Sequence, residues 1–142
     1  MSTPDTLRPV AAEDSKPHKL RVLLLDDEPG ILIPTAGYFR RLGCGVDAAE
    51  EAEEALALIA HRRYDLAIMD LQLTRVRGAE GLEVLRELRV RNHWTSVIVL
   101  SAFISEEAES ELRLQGADAI LRKPQNLPDL AQIAFSLTGV AQ

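Results

Sequence analysis

The chain has a single cysteine, Cys44, so no intramolecular disulfide can staple it. It has no run of about 18 apolar residues, the length a membrane-spanning helix needs, and its N-terminus lacks the apolar core of a secretory signal. Basic residues are in deficit. Against 22 Asp and Glu stand 16 Lys and Arg, leaving a net charge of -6. Such a surface is poorly suited to the phosphate backbone of a nucleic acid. The three histidines, His18, His61 and His93, do not cluster and show no metal-ligand spacing. No strand-like segment is followed by a glycine-rich phosphate loop, which counts against nucleotide binding. Internal repeats are absent. These absences point to a cytoplasmic protein without a membrane or nucleic-acid partner, and 142 residues suffice for one domain with a proper core.

What is present falls into two parts. Residues 1–19 carry three prolines, several charges and no apolar period, and read as a flexible N-terminal tail. From Leu20 onward, residues 20–142 read as one folded domain. Short apolar runs recur at LRVLLLDD, YDLAIMD (64–70), SVIVLS (96–101) and DAILRK (118–123), with a weaker one at CGVDA (44–48). Continuous apolar runs of this length fit strands buried on both faces. Between them lie segments of helical period. These are Pro29 to Leu42, Glu51 to His61, Gly81 to Val90, Ser105 to Gln115 and Pro128 to Thr138. Pro34 is expected to delay or kink the first, and Gly43 to stop it. Ser105-Glu-Glu-Ala is a capping-type start. Alternation of strand and helix five times over implies a parallel sheet covered by helices on both faces.

In an open parallel sheet, ligands bind beyond the carboxyl ends of the strands. The first strand ends in Asp26-Asp27-Glu28, the third in Asp70, the fourth in Ser101 and the fifth in Lys123-Pro124. Any one of these has a bland reading. An acid after a strand often caps the next helix, and lysines are usually solvated. Their conjunction on one rim is more informative. Clustered carboxylates need a cation, and hard oxygen donors with room for water suit Mg²⁺. A carboxylate can also act as the nucleophile that forms an aspartyl phosphate, with a metal, an ammonium and a hydroxyl neutralising the phosphoryl oxygens.

With these residues in order, the chain resembles the receiver domain of two-component response regulators over about Leu20 to Leu137. The resemblance implies a flavodoxin-like, doubly wound five-stranded parallel sheet of order 2-1-3-4-5 with five helices. It makes Asp70 the phospho-acceptor. It assigns Mg²⁺ to Asp26, Asp27, Asp70 and the backbone carbonyl of Gln72, with Asp26 acting mainly through water. Ser101, followed by Ala102, and Lys123 would hold the phosphoryl oxygens, and Pro124 would follow a cis bond. The donor would be a phosphohistidine on a sensor histidine kinase or phosphotransfer protein, or a small acyl phosphate. The chain would thus be a phospho-acceptor, capable of self-phosphorylation and self-dephosphorylation, and not an enzyme on a separate substrate. Few residues follow the fifth helix, so a stand-alone regulator acting through a protein contact is expected. The candidate output surface contains Leu112, Ile120 and Arg122. Receiver surfaces often form homodimers.

Two features depart from the pattern. The loop after Asp70 is about three residues longer than usual, with Thr74 where proline is expected and Gly-Leu-Glu displaced to Gly81; it carries Arg75 and Arg77, read as solvated charges. Ile120 occupies a switch position where an aromatic is common. Phe103 could replace it or screen the acyl phosphate, against a plainer reading as core-edge packing. These departures lend some weight to a receiver-like binding module that works without phosphorylation. A haloacid dehalogenase-type phosphatase fits worse, since its Asp-x-Asp motif is absent from the first strand. Cys44 reads as a small buried apolar residue, and Trp94 as packing at the rim before the fourth strand.

Overall fold

The computed structural model describes residues 19–71 and 76–139, with side chains described at all but residues 76–80. The elements run β1 (Arg21–Leu25), α1 (Pro29–Arg41), β2 (Gly45–Ala49), α2 (Ala52–His61), β3 (Leu66–Asp70), α3 (Val76–Arg91), β4 (Ser96–Ser101), α4 (Glu106–Leu114), β5 (Ala119–Arg122) and α5 (Leu127–Thr138). All strand pairings are parallel, in the order β2-β1-β3-β4-β5.

The three central strands, β1, β3 and β4, are apolar on both faces because each face has its own core. Leu23, Leu25, Ala67, Met69, Val97 and Val99 point to one side and pack under Ala55 and Ile59 of α2, Val84, Leu85 and Leu88 of α3, and Leu112 of α4. The alternate residues Val22, Leu24, Leu66, Ile68, Ile98 and Leu100 meet Leu32, Ala36 and Phe39 of α1 and Leu130, Ala131, Ala134 and Phe135 of α5. A one-residue register slip would exchange these two sets, so the pairing is strongly specified. Cys44 lies in the second core, where burial pushes its thiol pKa up, consistent with an inert packing role.

The helix ends follow their caps. Ser105 accepts from the Ala108 N–H at 3.1 Å, and Asn126 accepts from Asp129 at 2.8 Å. Gly43, at φ +95°, turns the chain out of α1 in a conformation other residues resist.

Three expectations need correction. Pro34 does not delay α1, which starts at Pro29 and runs through it. The ring removes the donor for the Gly30 carbonyl, and Gly30 is exposed, so water can take that bond. Helix α3 begins at Val76 rather than Gly81, absorbing most of the extra length after Asp70 into helix. Leu112 is fully buried in the first core and is no part of a surface; the one apolar stripe of a mostly charged helix has to face the sheet. The expected tail lies, up to residue 18, outside the described residues, as do residues 140–142.

Candidate functional site

Strands β1 and β3 are neighbours, with Leu25 level with Met69, so the residues that follow them emerge on one rim. Asp26 sits at the end of β1, its N–H bonded to the Ala49 carbonyl at 3.1 Å and its side chain nearly buried. One of its carboxylate oxygens accepts the Glu28 N–H at 2.9 Å. Asp70 closes β3 with a side chain only 4% exposed. Asp26, Asp27 and Asp70 each place a carboxylate oxygen within 4.8 Å of the others.

Lys123 is brought to the same rim by β5, where its N–H donates to the Ser101 carbonyl at 2.8 Å. Its Nζ lies 3.1 Å from Asp70 Oδ2, 3.3 Å from Asp26 Oδ2 and 3.3 Å from Glu28 Oε1. The Lys123–Pro124 bond is cis, as the resemblance implies.

The electrostatics follow from burial. Desolvation and the neighbouring Asp70 charge push the Asp26 carboxyl up to about 6, against the opposing Glu28 N–H and Lys123. Burial alone would lower the Lys123 pKa, but Asp70 and Asp26 outweigh it and raise it, fixing the ammonium in its charged form. Among the described residues, three carboxylates, Asp26, Glu28 and Asp70, therefore share one ammonium, and Asp27 adds a fourth charge beside Asp26 and Asp70. The remaining negative charge, presented as converging hard oxygen donors, suits a divalent cation such as Mg²⁺.

The other expected residues divide. Ser101 ends β4, buried, but its hydroxyl donates to the Phe103 carbonyl at 2.8 Å rather than to any member of the acid cluster. Ala102 is exposed beside it. Ile120 is half-buried and packs against the α2–α4 core, while Arg122 is exposed. Phe103 is 65% exposed, so the core-edge packing reading fails. Gln72, Thr74 and Arg75 lie outside the described residues, as does the side chain of Arg77. The ion pair of Glu28 with Lys123 was not anticipated. Its only trace in the sequence is a third acid after Asp26-Asp27, and nothing local says which way that side chain turns.

Among the described residues, no helix is long and apolar enough to cross a membrane. The family model for the response regulator receiver domain matches residues 22–135. The sensor histidine kinase GacS of Pseudomonas protegens is 29% identical over 141 residues, covering 98% of this chain and 15% of that protein. The sensory/regulatory protein RpfC of Xanthomonas campestris pv. campestris is 30% identical over 141 residues, covering 94% of this chain and 19% of that protein. The chain thus spans less than a fifth of these two relatives. Among solved structures, a CheY-like response regulator receiver domain protein from Methanospirillum hungatei superposes with a TM-score of 0.79 at 28% identity, covering 86% of this chain and 95% of that one.

Proposed function

The chain belongs to the response regulator receiver domain family, and we propose that within a two-component system Asp70 accepts a phosphoryl group from a phosphohistidine on a histidine kinase or phosphotransfer protein. The observation that carries this reading is the convergence of Asp26, Asp27 and Lys123 on the Asp70 carboxylate. An Asp70 oxygen attacks phosphorus and an O–P bond forms. The P–N bond to the donor imidazole breaks, the ring nitrogen keeping the electron pair and taking a proton from solvent. Lys123 neutralises a phosphoryl oxygen as charge shifts toward it. Asp26, Asp27 and Asp70 would hold Mg²⁺, which when bound supplies charge neutralisation at the phosphoryl oxygens. Ser101 takes a phosphoryl oxygen only by giving up the Phe103 carbonyl, which ties the loop after β4 to the state of Asp70.

In this reading the chain is a phospho-acceptor and not an enzyme acting on a separate substrate. The group adds about two negative charges at one rim, and the rearrangement around Ser101 and Lys123 biases a partner surface. One observation favours a second reading, a binding module indifferent to phosphorylation: Ile120, already packed on the core, offers no ring to swing inward.

The test incubates the protein with Mg²⁺ and acetyl phosphate, or with a beryllofluoride mimic, and follows intact mass and Trp94 fluorescence beside Asp70→Asn. One added phosphoryl group in the wild type, absent from the variant, is the expected result. No adduct and no response to Mg²⁺ or the mimic would overturn phospho-acceptance and select the second reading.

A further inference from the structure

We propose that Glu28 is a positioning residue that holds the Lys123 ammonium in the resting site and must release it before a phosphoryl oxygen can take its place. The inference rests on the reading of Asp70 as phospho-acceptor.

An ammonium has three N–H donors. Those of Lys123 face three carboxylates, Asp70 at 3.1 Å and Asp26 and Glu28 at 3.3 Å each. No donor is left over for an incoming oxygen. When a phosphoryl group arrives on Asp70 with three acceptor oxygens, one of the three partners has to yield.

Burial decides which one. The Asp26 and Asp70 side chains are 7% and 4% exposed, and removing the partner of a buried carboxylate is costly. The Glu28 side chain is 58% exposed against 13% for Lys123, so of the three carboxylates its own exchanges the ammonium for water at the least cost. The local structure leaves that side chain free to move. Glu28 occupies the N-cap of α1, where a side chain commonly accepts an N–H of the first helical turn, yet it makes no such bond. Its carboxylate reaches across to β5 instead. Meanwhile its own N–H is held by Asp26 at 2.9 Å, so the backbone is fixed and the carboxylate is the movable end. Glu28 therefore opposes phosphorylation twice. It occupies the lysine, and its charge stands where further negative charge must arrive.

The test compares wild type, Glu28→Gln and Glu28→Asp by two measurements. The first is acylation of Lys123 by an amine reagent in metal-free protein, quantified by peptide mass. The second is the rate of phosphorylation by acetyl phosphate at saturating Mg²⁺. Glu28→Gln is expected to raise both about two- to fivefold, the size an exposed ion pair supports. Glu28→Asp keeps the charge but falls a methylene short, so it is expected to raise labelling with a smaller gain in rate. Unchanged labelling overturns the proposal. So does a faster rate without greater labelling, which would reduce Glu28 to a repelling charge, and so does greater labelling with no gain in rate. If labelling rises but no form of the protein takes a phosphoryl group, the reading of Asp70 fails and this inference fails with it. If the wild type is phosphorylated and neither measurement moves, only the role of Glu28 falls.

Discussion

At the rim where β1 and β3 end, Asp26, Glu28 and Asp70 crowd around one ammonium, with the Asp27 carboxylate beside Asp26 and Asp70. At the opposite rim a single guanidinium, Arg89 of α3, has partners for every donor. It reaches the Gly116 carbonyl at 2.6 Å, Thr95 at 2.6 Å, His93 at 3.0 Å, Asn92 at 3.3 Å and the Asp118 carboxylate at 3.0 Å. Even the close fit of Gly116 belongs to this arrangement, since a Cβ there would come within 2.5 Å of Arg89 Nε. Asp118 also accepts the Val97 N–H at 2.8 Å, and the Thr95 hydroxyl donates to Tyr64. One end of the sheet satisfies its polar groups with one another. The other, among the described residues, keeps a surplus of negative charge that suits an outside cation. Local rules are kept where the fold is built and broken where the phosphoryl chemistry is proposed.

The largest expected effect breaks the satisfied end. Arg89 is 18% exposed on its side chain, and Arg89→Ala leaves several carbonyls without donors. We expect a loss of about 2–4 kcal/mol in urea unfolding. Arg89→Lys should recover little, because one ammonium cannot span that set of acceptors. Acetyl phosphate labelling of the folded fraction should be unchanged. A parallel loss of labelling would mean that the two ends are not separable.

The next effect sharpens the unsatisfied end. With its pKa raised to about 6, Asp26 binds its proton more tightly in the folded protein than in the unfolded chain. Its contribution is therefore fully present below about pH 4 and lost as pH rises through about 6. In the presence of a chelator, Asp26→Asn should match wild type in stability near pH 4 and exceed it by about 1–3 kcal/mol at pH 7.5. Equal stabilities at both pH values would mean that the rim carries no stored repulsion.

The same contrast explains what could be read from sequence. The strand-helix alternation and the convergence of Asp26, Asp27, Asp70 and Lys123 were legible because apolar runs and the residues ending them are one-dimensional signals, whereas the strand order was supplied by the family resemblance. The start of α3 was not legible, because the helical period of Leu82, Leu85 and Leu88 begins only at Gly81 and the turn before it, from Val76 to Glu80, carries no apolar repeat. Leu112 was misplaced because helical period gives a face but not the neighbour that covers it. Ser101 was correctly set on the rim, but its bond to Phe103 depends on a rotamer that no spacing encodes.

The smallest effect concerns Gly81, which stands between the two ends. A Cβ at this position would lie 2.4 Å from Leu71 Cδ2, and Leu71 directly follows Asp70. Two terms of opposite sign compete in Gly81→Ala. Replacing an interior helical glycine gains about 1 kcal/mol, while forcing a methyl into a packed core costs about 1–3 kcal/mol. The atom in the way is the end of a flexible side chain, but Leu71 is only 1% exposed and packed in the first core, where moving its methyl disturbs other contacts, so the clash should win. The net expectation is a loss of about 1 kcal/mol in urea unfolding, with slower acetyl phosphate labelling as Leu71 shifts against Asp70. A gain in stability with unchanged labelling would show that α3 can slide away from the sheet, and that the acceptor does not depend on how closely the helix seats.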